Sequence, residues 1–282
     1  MDCKLLTNSI LLAASLVLAA CSGFGAQNQA SKAERQERKA AGDYLDSGKW
    51  GKAVAREYDL SGFNAIHTEG HIEIVFMQGP TYSVKVFGNE KAIDHYTLDV
   101  GQTDRRLSIR QHDYDLATDR YKAGNVPGIT VVITAPELEH VDLNGGGDLE
   151  IKTDISLESD LSIVLNGDGD FEAKDIEVYD LNIVINGRGD VLFKKAVCQG
   201  DASILLNNEG DMDAKLHCGD ARIEVNGEGD VELKVKCNEL TAICNGQGDI
   251  ELRGECKVLN KRDGAAAAID SRELQAKKIN RI

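Results

Sequence analysis

Beyond residue 143 the chain follows a period of two. Apolar residues hold alternate positions in short runs: Leu161, Ile163 and Leu165, then Leu181, Ile183 and Ile185, then Ala202, Ile204 and Leu206, then Ala221, Ile223 and Val225. Each run leads into a glycine-rich pentapeptide and a second alternating run, such as Phe171 and Ala173 or Val191 and Phe193. Such alternation marks strands with one buried face. The pentapeptides are NGGGD from Asn144, NGDGD from Asn166, NGRGD from Asn186, NNEGD from Asn207, NGEGD from Asn226 and NGQGD from Asn245, at intervals of 22, 20, 21, 19 and 19 residues. Two strands per interval cannot bury their inner faces alone, so each copy must stack on the next. The pattern predicts an all-β fold, a parallel β-helix (a solenoid) with coils of about 20 residues. Its expected hand is right, the usual sense of parallel crossovers. At about 4.8 Å per coil, six coils rise about 29 Å.

The pentapeptide is a corner. Its glycines are expected to supply positive φ, with Asn208 the tolerated exception in the first glycine column. The leading asparagines are expected to form an amide ladder along one edge. After the corner, outward rows carry Asp148, Asp170, Asp190, Asp211, Asp230 and Asp249, and two rows on, Lys152, Lys174, Lys194, Lys215, Lys234 and Arg253. A solvated charge lattice explains these rows. A calcium site at Asp190 and Asp211 is the sharper alternative, but the nonapeptide spacing of calcium-binding β-rolls is absent, and no metal or cofactor is expected. The outward column of the other strand reads Val164, Val184, Leu205, Glu224 and Ile243. Stacked apolar residues of that kind are covered by something. The candidates are the protein's own N-terminal segment, a partner or a second copy, with Val164, Val184, Leu205 and Ile243 as the partner surface.

Other motifs carry less. Arg188, Gly189 and Asp190 spell an integrin-type tripeptide only because Arg fills the variable corner position of that copy. Cys198, Cys218, Cys237 and Cys256 recur at one phase of the repeat, as small buried hydrophobes do. His67 and His71 lie four apart, a spacing that does not converge in a strand. No hydrolase elbow, zincin, phosphate-loop or dinucleotide fingerprint is present, and no carboxylate pair stands out from the lattice as a glycosidase pair.

The remaining segments divide the chain. Residues 1–20 hold an apolar stretch from Ile10 to Ala20 ending Leu18-Ala19-Ala20 before Cys21, too short to span a bilayer. This reads as a lipoprotein export signal, with Cys21 the lipidated residue that attaches the mature protein to a membrane. Residues 21–42 read as a flexible tether in which KAERQERKAA can form a short helix but has no apolar stripe to dock it, 43–143 as an N-terminal β region with the first coils, 144–256 as the regular repeats and 257–282 as a C-terminal cap or tail. With 32 Lys+Arg against 47 Asp+Glu, a net charge of −15 repels phosphate backbones, so nucleic acid is not an expected partner.

The stretch FNAIHTEGHIEIVFMQGPTYSVKVFGNE, followed by LSIR and GITVVITAPELEHVDLNGGGDLEI, resembles the head GIN domain family, named for auto-transporter adhesins, over residues 57–255. The resemblance implies a β-helical, lipid-anchored envelope protein. It supplies no catalytic residue. NKRDGAAAAIDSRELQAKKINRI stands where a Gly-Ser-rich ending is usual for the family. The expectation is a non-enzymatic, adhesin-like outer-membrane lipoprotein, on the periplasmic face or the cell surface, that binds a glycan or other polymer, an envelope protein or itself. A polysaccharide-acting enzyme and a structural or sensory envelope component are the alternatives.

Overall fold

The computed structural model describes residues 4–5, 24–42, 44, 48–112, 114–115, 120–121, 126–264 and 268–282. Its body is a parallel β-solenoid of about seven turns. The strands before the glycine corner form one sheet. Ala65–Glu69, His140–Asn144, Leu161–Leu165, Leu181–Ile185, Ala202–Leu206, Ala221–Val225 and residues 240–244 of Val231–Cys244 pair in parallel. The strands after the corner form a second. Ile72–Gln78, Leu149–Ile151, Phe171–Val178, Val191–Cys198, Met212–His217 and residues 231–237 pair likewise.

The register places the alternating columns one above another: Leu161 beside Leu181, Leu181 beside Ala202, Ala202 beside Ala221, Ala221 beside Leu240. All five are buried, as are Ile163, Ile183, Ile204, Ile223 and Ala242 in the next column. After the corner, Phe171 and Phe193 meet edge to face at 5.7 Å. Cys198, Cys218 and Cys256 are buried, and Cys237 sits in register with Cys256. Burial pushes the Cys198 thiol up to about 12 and that of Cys256 up to about 11, so these sulfurs are inert packing groups.

The coils extend beyond the pentapeptides in both directions. Asn144 lies beside Glu69 and Leu149 beside Ile74, so residues 65–78 are a coil whose Glu-Gly-His-Ile-Glu corner takes the place of the pentapeptide. Residues 79–139 separate it from the next coil in sequence, and the described strands among them close that end of the solenoid. In the first sheet Tyr96–Val100 runs antiparallel to Arg106–Gln111, which pairs with Ala65–Glu69. In the second sheet Ala53–Tyr58, Ser83–Asn89 and Ile129–Ala135 form an antiparallel ribbon that pairs with Ile72–Gln78. At the far end, Ile269–Arg281 lies parallel to Ile250–Arg262 as the last described coil.

Residues 24–42, expected as an undocked tether, form the helix Phe24–Gly42. Its alanines suffice for docking because they let the helix approach closely. Ala40 is buried with Met77, Phe87 and Val132, and Ala33 and Ala41 pack beside it. Cys21 and residues 1–20, expected as an export signal, lie outside the described residues except for Lys4 and Leu5. Among the described residues no helix is long and apolar enough to cross a membrane.

Candidate functional site

Three ladders fix the surface of the solenoid. The asparagine ladder forms as expected. Asn166 Nδ2 donates to Asn144 Oδ1 at 2.9 Å, Asn186 to Asn166 at 2.8 Å, Asn207 to Asn186 at 2.7 Å, Asn226 to Asn207 at 3.0 Å and Asn245 to Asn226 at 2.8 Å. The motif aspartates do more than carry charge. Asp148 Oδ1 accepts the backbone N–H of Asp170, Asp170 that of Asp190, Asp190 that of Asp211, Asp211 that of Asp230 and Asp230 that of Asp249, at 2.7–2.9 Å. Each carboxylate therefore satisfies a corner donor of the next coil. The Oδ1 atoms of Asp190 and Asp211, the calcium candidates, are engaged in this way. Among the described residues no three His, Cys, Asp or Glu side chains are arranged to hold a metal ion.

Sequence reasoning missed the third ladder, at the opposite corner. Asp160, Asp180, Asp201 and Asp220 accept the backbone N–H of Asp180, Asp201, Asp220 and Glu239. Their spacing of 20, 21 and 19 was the signal.

The corner glycines have a different cause from the one expected. Among the six pentapeptides only Gly145 has positive φ. A Cβ on Gly189 would overlap the Gly169 carbonyl oxygen, and one on Gly210 that of Gly189. Close stacking, not handedness of the backbone, requires glycine in this column. The integrin-type tripeptide is held in the same frame: Arg188 Nε donates to Asp168 Oδ1 at 2.9 Å and Asp190 is a rung of the aspartate ladder.

Glu73 takes the Asp position of the first coil and accepts the Asp148 backbone N–H. Burial around its carboxyl group, then the charges of Asp148 and Asp170, push its pKa up to about 7, although the residue as a whole is exposed. A carboxyl raised above its ordinary value stabilises the fold fully below about 4.5 and loses that contribution as pH rises through about 7. Glu73→Gln keeps an acceptor and removes the charge. At pH 8 it is expected to gain about 1 kcal/mol after solvent screening, or about 2–4 °C in Tm. At pH 4 it is expected to match the parent. Thermal melts at the two pH values check this, and a variant less stable at pH 8 contradicts it.

The outward column of the first sheet changes character along the axis. At the closed end it carries Ser108, His67 and Asp142 in register, then Val164, Val184, Leu205, Glu224 and Ile243. His67 Nδ1 lies 2.8 Å from Asp142 Oδ2 and Nε2 3.0 Å from Glu69 Oε1. The Asp142 hydrogen bond first, then that of Glu69, raise the His67 pKa against its burial. Burial works against Asp142 ionisation, but the His67 hydrogen bond holds its carboxyl below the ordinary value. A Ser-His-Asp row thus exists, yet both imidazole nitrogens face carboxylates and none is left to deprotonate buried Ser108. It is an ion-pair cluster, not a nucleophile with its base.

Val164, Val184 and Leu205 are half-buried neighbours in one file, and the described N-terminal helix packs on the other sheet. Ile243 is set apart from them. Glu224 intervenes and Ile243 is only 4% exposed, so it is not surface. Register surrounds the three apolar residues with Ser162, Asn182 and Ser203 on one side and the asparagine ladder on the other. Nine outward positions over three coils therefore form a flat field without a charge, bounded by His67 and Asp142 at one end and by Arg222 and Glu224 at the other.

The family model described as "Putative auto-transporter adhesin, head GIN domain" matches residues 62–215 and 193–280. The chain is similar to a crystallised putative adhesin of Bacteroides fragilis, with 20% identity, 82% of this chain and 97% of that one covered, and a TM-score of 0.66. It is also similar to two proteins of Parabacteroides distasonis, each over 82% of this chain. One, titled a putative lipid binding protein, is 16% identical with 96% of its chain covered and a TM-score of 0.55. The other, titled a putative adhesin, is 18% identical with 98% covered and a TM-score of 0.51. These likenesses establish the fold. No curated protein matches.

Proposed function

For a chain that belongs to the head GIN domain family of auto-transporter adhesins, we propose the role of a non-enzymatic binding module of the cell envelope, attached to the outer membrane through a lipid on Cys21. Its binding surface is the uncharged field of the first sheet, and its partner is a neutral polymer with a repeating structure. The observation that carries this reading is the field itself: Val164, Val184 and Leu205 between serines and asparagines, in a chain with 32 Lys+Arg and 47 Asp+Glu. Asn186 and Asn207 each spend one amide N–H and one lone pair within the ladder and keep the others for a ligand, while Asn166 also donates to Asp142. Three rows across three coils amount to about 300 Å² from strand spacing and rise. A stable protein interface takes roughly 800 Å² per partner. A small contact suits weak binding that many tethered copies make strong together, rather than a stable pair of copies.

The test is co-sedimentation of the purified chain with insoluble neutral polysaccharides, beside Val184→Glu and Leu205→Glu. Retention of the parent and at least about tenfold weaker retention of both variants is expected, since a desolvated charge costs a factor of this size or more. Retention of the variants at parental strength, or no retention of the parent, removes the field from the reading. Labelled palmitate incorporation that survives Cys21→Ala would remove the anchor.

A further inference from the structure

On the second sheet, two adjoining depressions of about 400 and 410 Å³ run along the solenoid axis and share His217, Lys236, Glu255 and Gln275. Their walls carry Lys195, Lys215, Lys234, Lys236, Lys257 and Lys277 against the single acid Glu255. This is a concentrated positive strip on a chain of net charge −15. Only Lys236 is neutralised, by Glu255 at 2.7 Å. Lys195, Lys215, Lys234 and Lys277 form no ion pair with a described residue.

The strip is built by two local features. A bulge sets Lys194 and Lys195 against the single Lys215, so that both point outward. Gly254 stands beside Val235, where a Cβ would overlap the Val235 carbonyl oxygen, and it keeps the floor low. Ala196, Leu216 and Val235 form that floor beneath the lysine stems. Asp213 and Glu232 run along the outer flank, two positions from the lysines in the same strands. An anion is therefore drawn only to the strip between the lysine files.

We propose that this trough binds an acidic polysaccharide carrying one carboxylate per sugar residue. Lys215 and Lys234 are in register, so their ammonium groups repeat at the coil rise of about 4.8 Å. That rise is close to the length of one sugar in an extended chain. Among the described residues no Phe, Tyr or Trp lines the trough to stack on a neutral sugar, which leaves charge as the main means of recognition. The proposal extends the binding-module reading but uses a different surface.

The experiment is affinity electrophoresis of the purified chain through gels containing polygalacturonate or dextran. Polygalacturonate is expected to retard the parent at low salt and to lose its hold as salt rises, while any retardation by dextran is expected to be independent of salt and of the lysines. Lys215→Glu/Lys234→Glu is expected to weaken retardation at least about tenfold, and Lys215→Gln/Lys234→Gln, checked by its melting temperature, to weaken it in the same direction. Lys52→Glu/Lys91→Glu makes the same charge change at the closed end and is expected to keep parental retardation. The proposal is overturned if polygalacturonate does not retard the parent or if it does so without dependence on salt or on Lys215 and Lys234. It also fails if the closed-end variant loses as much as the trough variant, or if anionic phospholipid vesicles bind through these lysines while polygalacturonate does not. Val184→Glu retarded like the parent separates this trough from the uncharged field, whichever of the two proves to bind.

Discussion

Gly189→Ala is expected to cost about 4 kcal/mol or more, the range reserved for substitutions that force backbone apart. The added methyl group would occupy the space of the Gly169 carbonyl oxygen. No rotamer relieves it, since a Cβ has none. The coils must separate at the corner, and that separation strains the Asp190 and Asp211 rungs directly beside it. Solenoid coils touch only their neighbours, so damage at the middle divides the stack into two shorter ones. Urea denaturation reads the loss, and hydrogen exchange is expected to show protection surviving best between residue 48 and the Asn166 coil, where the antiparallel ribbons close the end. Asn208→Gly is the internal control. The first glycine column already tolerates a side chain there, with Asn208 donating to the Asn186 carbonyl, so a change within about 1 kcal/mol is expected. Equal effects of the two substitutions would mean that stacking distance is not what the second column demands.

The second large effect is expected from His67→Leu. It leaves Asp142 and Glu69 facing an apolar side chain, and breaking a mostly buried ion pair by removing one partner costs about 3–5 kcal/mol. The His67 side chain is only 12% exposed, so little of that is screened. Asn144, which donates to Asp142 at 2.9 Å, and Arg110, 3.5 Å from Glu69, soften the loss and place it toward the lower bound. The pH dependence separates charge from packing. A histidine whose folded pKa is raised contributes fully below its ordinary value of about 6.5 and loses that contribution as pH climbs through the folded pKa. Asp142, held low, stays ionised throughout this range. The gap between parent and His67→Leu is therefore expected to be widest near pH 6 and to narrow by pH 9, as read by urea melts at both. A gap that does not change with pH would assign His67 to packing alone.

Much of the fold was legible because the repeat writes it many times. Any one alternating run is ambiguous, but six runs at one interval leave stacking as the only way to bury Ile163, Ile183, Ile204 and Ile223. The asparagine ladder followed from the same periodicity. The first coil did not, because Glu69-Gly70-His71-Ile72-Glu73 keeps one glycine and one acid of the motif and residues 79–139 hide its spacing. The docking of the helix at 24–42 escaped because a search for large apolar residues overlooks alanine as a docking surface. The His67 cluster had a signal: Asp142 stands two places before the motif asparagine, where the next three coils carry Val164, Val184 and Leu205. An acid in an apolar column needs a partner, and the partner came from a coil that the repeat did not reveal. The lysine strip was visible as a row but was offset against its acidic neighbours. Its segregation depends on the step at Lys194 and Lys195, which the preceding coil shares but fills with Lys174 and Asp175, and on Gly254.

The aspartate ladders point one way. In both, the acceptor belongs to the earlier coil and the N–H it captures to the later one, from Glu73 to Asp249 at one corner and from Asp160 to Glu239 at the other. Every turn thus arrives to find its acceptors already in place, whereas a turn formed ahead of its predecessor would hold corner amides with nothing to bind. That polarity favours construction from the closed end outward, in the order of synthesis, each layer offering its acceptors to the next.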